Sequence, residues 1–359
     1  MARIVVTGTS ARALGNWLPA FERLGALGHR VETLLFPHLP DPDHAGLRAL
    51  PLPCLGEFPV PESLRRIAWG VVSEIATPAY ELLSRDPPDA LVLTTCHAGP
   101  ERSLAGRLFK APRRPVLVGC QHGTVQHWAA YWRHFSFDQF LVFGEAFRQR
   151  APETLRSRVH AVGLPKLDAV ARPPRPPFER DGRPILFAAQ TTRTDDLIRS
   201  LRRLGELSGR AVHVRPHPEF PELFADSGLV VAGGGQPLVE QIATCSLVVT
   251  SGSTTVLEAL VAGCPCAVLP VEQGDEYAAA GIVAETGAAE QILEIVRRQL
   301  EPAGRARSAD FLAATVGVAD GRAADRAAAR IATFVEPSGS EVVRSAGDAA
   351  AEPAGGGAA

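Results

Sequence analysis

Two histidines and one hydroxyl-rich turn are the side chains of this sequence best suited to carry chemistry. His122 lies in GCQHGT, directly behind an apolar run, and His217 lies between two prolines in RPHPE. The turn at 251–255 reads SGSTT and precedes apolar residues at helical spacing. An imidazole can take a proton from a hydroxyl near neutral pH, and the first amides of a helix favour a bound anion. The pattern predicts acid–base chemistry beside a phosphate.

The turn at 251–255 is predicted to hold the phosphates of a donor. Gly252 lets the backbone approach closely, and the neighbouring hydroxyls add hydrogen-bond donors. Glu258, one helical turn further on, is predicted to accept hydrogen bonds from ribose hydroxyls. An ordinary strand–helix turn capped by Ser or Thr is the alternative. The full set of predicted donor-binding residues is Arg215, Ser251, Gly252, Ser253, Thr254, Thr255, Glu258, Glu272 and Gln273.

The two histidines are predicted to act on opposite sides of the reaction. His122 follows a strand and is placed to act as a base on a substrate hydroxyl, with a structural turn histidine as the alternative. Gly123, Thr124 and His97 are predicted to lie on the acceptor side. Prolines fix the backbone around His217, which together with Arg215 suits a leaving diphosphate whose negative charge must be stabilised.

These segments are embedded in an alternation of apolar runs and helical patterns that predicts parallel sheets. Strands are predicted at 3–7, 30–35, 90–94, 115–119, 139–143, 159–162, 185–189, 211–215, 229–232, 247–250 and 266–269. The expected fold is α/β, with two doubly wound Rossmann-like domains facing a cleft. The predicted divisions are an acceptor-side domain (1–170), a proline-rich linker (171–184), a nucleotide-donor domain (185–335) and a disordered tail (336–359).

The composition narrows the class of protein. The chain has 359 residues, 46% of them hydrophobic, and a net charge of −2, which gives no electrostatic case for nucleic acid as a partner. No apolar stretch is long enough to span a bilayer, and the amino terminus lacks the pattern of an export signal. The six cysteines show no CxxC pair, and no DxD-type pair ends a strand in the second half. We therefore expect a cytoplasmic protein that uses no metal or other cofactor.

The ordered set QHGT, RPHP and SGSTTVLEALVAGCPCAVLP resembles the glycosyltransferase-B-fold enzymes of bacterial surface polymers. The most similar in pattern are CDP-glycerol glycerophosphotransferases and capsule-polysaccharide transferases. The resemblance implies that His122 is the base on the acceptor hydroxyl, and that His217 and the serine turn hold the donor phosphates. The turn follows Val249 and Thr250 instead of the acidic and aromatic pair typical of glycerophosphotransferases, which favours a nucleotide sugar over a CDP-polyol.

The expected function is transfer of a sugar from a nucleotide-activated donor to a hydroxyl acceptor in surface polysaccharide or glycoconjugate synthesis. A lipid-linked acceptor, with peripheral contact at the inner face of the membrane, stays open. Three alternatives are kept: a glycerophosphotransferase, a nucleotide-sugar 2-epimerase and a non-catalytic nucleotide-sugar binder. The epimerase is disfavoured because no Asp precedes the serine turn. The aromatic cluster at 128–137 is predicted to pack in the core, with acceptor or membrane contact as alternatives.

Overall fold

The computed structural model describes residues 1–39, 47, 49–61, 69–95, 99–123, 132, 136–170, 178, 181–190, 193–217, 220–232, 236–270 and 275–336. The amino-terminal half contains strands β1 (Arg3–Gly8), β2 (Arg30–Leu35), β3 (His38–Leu39), β4 (Cys54–Glu57), β5 (Val60–Pro61), β6 (Ala90–Leu93), β7 (Val116–Cys120), β8 (Gln139–Val142) and β9 (Val159–Ala161). Seven of these form one sheet in the order β4-β2-β1-β6-β7-β8-β9, while β3 and β5 pair separately. Neighbouring strands of the seven-stranded sheet run parallel to one another.

The carboxyl-terminal half contains a second parallel sheet in the order β12-β11-β10-β13-β14. Its strands are β10 (Ile185–Ala188), β11 (Val212–Arg215), β12 (Val230–Val231), β13 (Leu247–Thr250) and β14 (Cys266–Val268). The central strands of the two sheets, β6 and β10, are buried along their whole length. Two sheets that are each covered by helices confirm the predicted fold class, since parallel strands need a crossover helix at every connection.

The helices follow the strands in the manner of βαβ units. They are α1 (Ala11–Gly15), α2 (Leu18–Ala26), α3 (Trp69–Arg85), α4 (Gly99–Phe109), α5 (Glu145–Gln149), α6 (Glu153–Arg156), α7 (Asp195–Ser208), α8 (Leu238–Thr244), α9 (Thr255–Val261), α10 (Asp275–Ala278), α11 (Ala289–Leu300), α12 (Pro302–Val316) and α13 (Ala323–Val335). In the part of the chain that the structure describes, none is long and apolar enough to cross a membrane.

The last helix, α13, packs against the amino-terminal half. The Asp168 carboxylate accepts hydrogen bonds from the backbone amides of Ala323 and Ala324 at 3.0 and 2.7 Å. Arg23 of α2 forms an ion pair with Asp325 at 2.7 Å. The boundaries at 170, 184 and 335 remain predictions. Most of the linker and nearly all of the tail lie outside the described residues.

The eleven strands expected from the sequence are present, and no strand end differs from its predicted position by more than one residue. Strands β3, β4 and β5 were not predicted. They are short, and β4 carries Gly56 and an exposed Cys54, so it lacks the continuous apolar run of a buried strand. Of the aromatic cluster, Trp132 and Phe137 both pack edge-on against Phe140, which confirms core packing for these two residues.

Candidate functional site

The residues predicted to act in catalysis or binding follow the carboxyl ends of the parallel strands. In the amino-terminal sheet the strand order reverses at β1, between β2 and β6, and in the carboxyl-terminal sheet it reverses at β10, between β11 and β13. Ligands of open α/β sheets bind in the crevice at such reversals. The segments that follow β7, β11 and β13 carry His122, His217 and the serine turn, so each half places its candidate residues at its own binding edge.

His122 stands in a loop whose backbone is held by several hydrogen bonds. Asn16 Nδ2 donates to the carbonyl oxygen of His122, and Trp17 Nε1 donates to that of Gln121, each at 3.0 Å. The buried Gln121 side chain donates to the carbonyl of Gly123 at 2.7 Å and accepts from the amide of Phe143 at 2.9 Å. This bracing fixes the direction in which the His122 side chain leaves the main chain.

His217 contacts an arginine from the other half of the molecule. Arg12 Nη1 in α1 lies 3.0 Å from Nε2 of His217. A guanidinium can only donate, so Nε2 accepts and the ring is neutral with its proton on Nδ1. Phe220 packs beside the ring at a centroid distance of 6.1 Å. A neutral imidazole and a guanidinium therefore face the same space between the two sheets.

Arg215 ends β11, two residues before His217, and is about half-buried. Its Nη1 donates to the carbonyl oxygen of Gln236 at 2.7 Å. Burial lowers the pKa of Arg215 from its usual value, whereas the nearby charge of Glu258 opposes that shift. The guanidinium stays charged in any ordinary pH range because its intrinsic pKa is so high. It supplies a fixed positive charge at this sheet edge.

The serine turn adopts the tight geometry that the sequence predicts. Gly252 has a φ of 83°, in the left-handed region that favours glycine. Ser253 Oγ accepts from the amide of Thr255 at 3.3 Å and lies 3.0 Å from its hydroxyl. Tyr277 Oη donates to the carbonyl of Ser253 at 3.1 Å. Because Ser253 already caps the Thr255 amide, the hydroxyls and the remaining backbone of the turn are the groups that can meet a ligand.

Glu258 is directed toward the other half of the molecule. It is only 6% exposed, and its Oε1 lies 3.4 Å from Nζ of Lys166. Lys166 belongs to the 3-10 turn Pro165–Ala169, and its amide donates to the carbonyl of Asn16 at 3.1 Å. In this arrangement Glu258, the residue predicted to bind ribose hydroxyls, is paired with a lysine from the amino-terminal half.

The short helix α1 and the two residues that follow it connect the loops of His122 and His217 with the turn that carries Lys166. Arg12 reaches His217, the side chain of Asn16 holds the His122 loop, and the carbonyl of Asn16 holds the turn that carries Lys166. Residues from three separate loops are thus tied to α1 and the residues that follow it. Pattern reasoning missed Arg12, Asn16 and Lys166. Lysine is rare in this chain, and that rarity was the one available signal for Lys166.

A second group of polar residues lies where β1 and β6 end and in the first turn of α4. Thr9 Oγ1 donates to Thr95 Oγ1 at 2.9 Å, and the amide of Thr95 donates to Glu101 Oε2 at 2.7 Å. Glu101 is fully buried, and its desolvation raises the pKa to about 7 against hydrogen bonds from Thr7 and Thr95 that lower it. The Thr95 segment leads directly into the position predicted for His97.

Several predicted site residues lie outside the described part of the chain, namely His97, Thr124, Glu272 and Gln273. Their roles stay predictions. Gly123 is described and buried, and Ser251, Gly252, Ser253 and Thr254 are partly buried at the turn. The assignment of catalytic and binding roles to all of these residues likewise rests on their chemistry and position.

Solved structures with the same architecture include a UDP-GlcNAc 2-epimerase and a glycosyltransferase. A Listeria monocytogenes protein provisionally described as a UDP-N-acetylglucosamine 2-epimerase matches with a TM-score of 0.68 and 12% identity, over 93% of this chain and 97% of its own. The Neisseria meningitidis UDP-GlcNAc 2-epimerase bound to UDP-GlcNAc matches at 0.62 and 15% identity, over 93% and 100%. The calicheamicin glycosyltransferase CalG4 matches at 0.60 and 16% identity, over 95% and 100%.

These matches confirm a two-domain α/β fold of the glycosyltransferase-B and epimerase type. The identities are too low to carry an activity across, so the likeness defines the fold class of this chain. No protein-family model matches the sequence, and no curated protein matches it by sequence similarity. A specificity like that of CDP-glycerol transferases is not shown.

Proposed function

We propose that this protein cleaves the sugar–phosphate bond of a nucleoside-diphosphate sugar and transfers the glycosyl group to a hydroxyl acceptor. The observation that carries the proposal is the junction at α1, where Arg12 meets His217 and Asn16 fixes the His122 loop. Cationic groups can stabilise the departing diphosphate, and a histidine can take the proton of an acceptor hydroxyl. The junction supports a single site that contains both.

The donor diphosphate is proposed to lie between Arg215, His217 and the turn of Ser253, with Arg12 reaching over from the acceptor half. These groups supply positive charge and hydrogen-bond donors where negative charge grows on the departing phosphate. The Neisseria and Methanocaldococcus enzymes of the same fold hold UDP-GlcNAc in their structures, which favours a nucleotide sugar as donor here. The diphosphate charge can then be met without a metal, and we expect activity to survive EDTA.

His122 is proposed as the base that takes the proton from the acceptor hydroxyl as its oxygen attacks the anomeric carbon. The C–O bond to the diphosphate breaks, and the diphosphate leaves with the bonding electrons. The leaving group is stabilised by Arg215 and by the proton that neutral His217 carries on Nδ1. The segments that follow β1, β6 and β7 bring hydroxyl, amide and imidazole groups from Thr9, Thr95, Asn16 and His122, which suits a hydroxyl acceptor.

A second candidate, a nucleotide-sugar 2-epimerase, is favoured by a specific observation. Two of the solved proteins above are named for that activity and cover 93% of this chain. Such a reaction needs a base that removes the proton on C2 and needs no acceptor.

The test begins with a search for donors. Thermal-shift screening against CMP, CDP, UDP, GDP and their sugars should identify the nucleotide, because a ligand bound by the native state raises the melting temperature. The donor that binds is then incubated alone in D₂O. Deuterium at C2 together with the epimeric sugar would establish the epimerase and overturn the transfer proposal, whereas a requirement for added acceptor alcohol supports transfer.

Substitution of the proposed base completes the test. His122→Ala should lower the rate of transfer by about two to four orders of magnitude, the usual contribution of a general base. The exposed Arg199→Gln is a matched control, because Arg199 pairs with its helix neighbour Asp196 on the surface of α7. Binding of the nucleotide without turnover of any donor or acceptor in the wild-type protein would leave a non-catalytic binder as the better description.

A further inference from the structure

A cavity of about 660 Å³ lies on the amino-terminal half, apart from the loops that carry His122 and His217. It is formed by α5, the edge strand β9 and the last helix α13. Its polar lining consists mainly of Glu145, Arg148, His160, Arg326, Arg330 and Thr333. The volume falls within the usual range of small-molecule sites. We call it the β9 cavity.

The β9 cavity is positively charged in a chain whose net charge is −2. Arg148 is paired with Glu145 at 2.8 Å, and Arg326 is paired with Asp320 at 2.9 and 2.8 Å. Arg330 has no carboxylate partner among the described residues, and it is exposed on α13. Two of the three guanidinium charges are therefore neutralised locally, and that of Arg330 is not.

Protection of the sheet edge explains two of these arginines. Strand β9 pairs with β8 on one side, and an unpaired edge attracts other strands unless it is blocked. Arg148 Nε donates to the carbonyl of Val159 at 3.1 Å, and Arg326 Nε donates to that of Val162 at 3.0 Å. Arg330 makes no such contact in the described part of the chain. Its presence in the lining needs another reason.

His160 lies in the lining of the β9 cavity together with these arginines. Its Nε2 lies 2.7 Å from Oε1 of Gln139, and Phe334 packs on the ring at 5.5 Å. Burial, then the charges of Arg330 and Arg148, lower the pKa of His160 to about 4. The ring is therefore neutral near pH 7, and two guanidinium charges act on it. An anion bound beside Arg330 would offset part of that positive charge.

We propose that the β9 cavity binds a phosphorylated small molecule, with Arg330 as the principal contact. A guanidinium matches the oxygens of a phosphate group with paired hydrogen bonds. His160 also lines the cavity, and its Nε2 donates to Gln139, so that Nδ1 is the atom that can take up a further proton. A bound anion raises the affinity of Nδ1 for that proton. The ligand is either inorganic phosphate or a phosphate ester, and the cavity has room for the latter.

The experiment follows His160 by NMR in the full chain, with ¹³C-labelled histidine and assignment by His160→Gln. We expect added inorganic phosphate, at constant ionic strength against chloride, to raise the pKa of His160 by about one unit or more. Arg330→Gln should weaken phosphate binding about 10- to 100-fold, the loss expected for a charge-assisted hydrogen bond. Tighter binding of glucose 1-phosphate than of phosphate would identify an ester as the ligand.

Two controls separate this cavity from the donor site. Arg297→Gln, an exposed arginine of α11 that pairs with Glu294, should leave the response of His160 unchanged. Arg215→Gln should also leave it unchanged, even if it abolishes nucleotide binding at the other site. The proposal is overturned if neither phosphate nor the ester moves the pKa of His160, or if Arg330→Gln binds both as tightly as the wild-type protein.

Discussion

At the residue scale, Arg12 has the position from which a single side chain can influence both halves. It is 205 residues away from His217 in sequence and 3.0 Å away in space. Arg12→Gln removes the guanidinium proposed to meet the diphosphate. We expect the dissociation constant of the bound nucleoside diphosphate to rise about 10- to 100-fold, because hydrogen bonds to charged groups contribute about 1.5–3 kcal/mol. Calorimetric titration measures it.

The exposed Arg199→Gln serves as the comparison for Arg12→Gln, since it removes an equal charge from the surface of α7. The affinity of the Arg199→Gln variant for the nucleoside diphosphate should equal that of the wild-type protein. If Arg12→Gln also binds the diphosphate with unchanged affinity, then Arg12 serves only to hold His217, and the donor site is confined to the carboxyl-terminal half.

Glu101 offers a prediction about stability and pH. Burial raises its pKa from the ordinary value of 4.5 for a solvated glutamate to about 7 in the fold. Between these two values the native state keeps a proton that the unfolded state releases, so the free energy of unfolding falls as the pH rises. The loss amounts to at most about 3 kcal/mol. Glu101→Gln cannot ionise and should not show this loss.

Urea unfolding of both proteins from about pH 4 to 8 measures the effect. The variant should become progressively more stable than the wild-type protein above about pH 4.5, and the difference should level off above the folded pKa of about 7. Below about pH 4.5 the difference should no longer change with pH, because Glu101 is protonated in both states there. Parallel profiles across the whole range would show that Glu101 ionises normally in the folded protein.

At the scale of elements, much of the molecule was predictable. The strands that lead into His122 and the serine turn are nearly continuous apolar runs, and burial on both faces requires such runs in a parallel sheet. The strand that leads into His217 alternates instead, with Val212 and Val214 buried. The turn at Gly252 followed from the residue types alone. Strand β4 could not be found in this way, because an edge strand exposed on one side carries no such run.

Gly144 marks a close approach of two elements that no sequence pattern revealed. It is the residue before α5, and a Cβ at this position would overlap the backbone carbonyl oxygens of Ala314 and Thr315 in α12. Its φ of −143° is open to any residue, so the constraint is purely steric. Gly144→Ala should lower the free energy of unfolding by about 1–3 kcal/mol, the typical cost of overpacking.

Gly106→Ala is the matched control for Gly144→Ala. Gly106 lies inside α4, and no atom lies within 4 Å of a Cβ built there. Alanine should stabilise that helix by about 0.5–1 kcal/mol, because it loses less backbone entropy on folding than glycine does. Chemical denaturation of both variants gives the comparison. Equal stability of Gly144→Ala and the wild-type protein would mean that α12 packs less closely on this half than the structure shows.

At the scale of the whole molecule, the two halves meet through polar contacts between residues far apart in sequence. Arg12 with His217 and Lys166 with Glu258 are the clearest examples. Local pattern reasoning could locate the strand ends but not which opposing side chains meet across them, because that depends on how the two sheets face each other. This is why the histidines were found from sequence and their partners were not.

The Lys166–Glu258 pair provides the last prediction. Both side chains are largely buried, at 19% and 8% exposure, so loss of one partner leaves a poorly solvated charge. Lys166→Gln and Glu258→Gln should each destabilise the protein. The double variant should be less destabilised than the sum of the two, with a coupling of about 0.5–3 kcal/mol.

Arg203 and Glu290, an exposed pair at 3.2 Å, form the matched cycle and should couple by less than about 1 kcal/mol. Urea unfolding of all four proteins in each cycle measures the two couplings. A coupling near zero for Lys166 and Glu258 would show that this contact does not help to hold the two halves together in solution, and Glu258 would then be available for the ribose contact that its place behind the serine turn predicts.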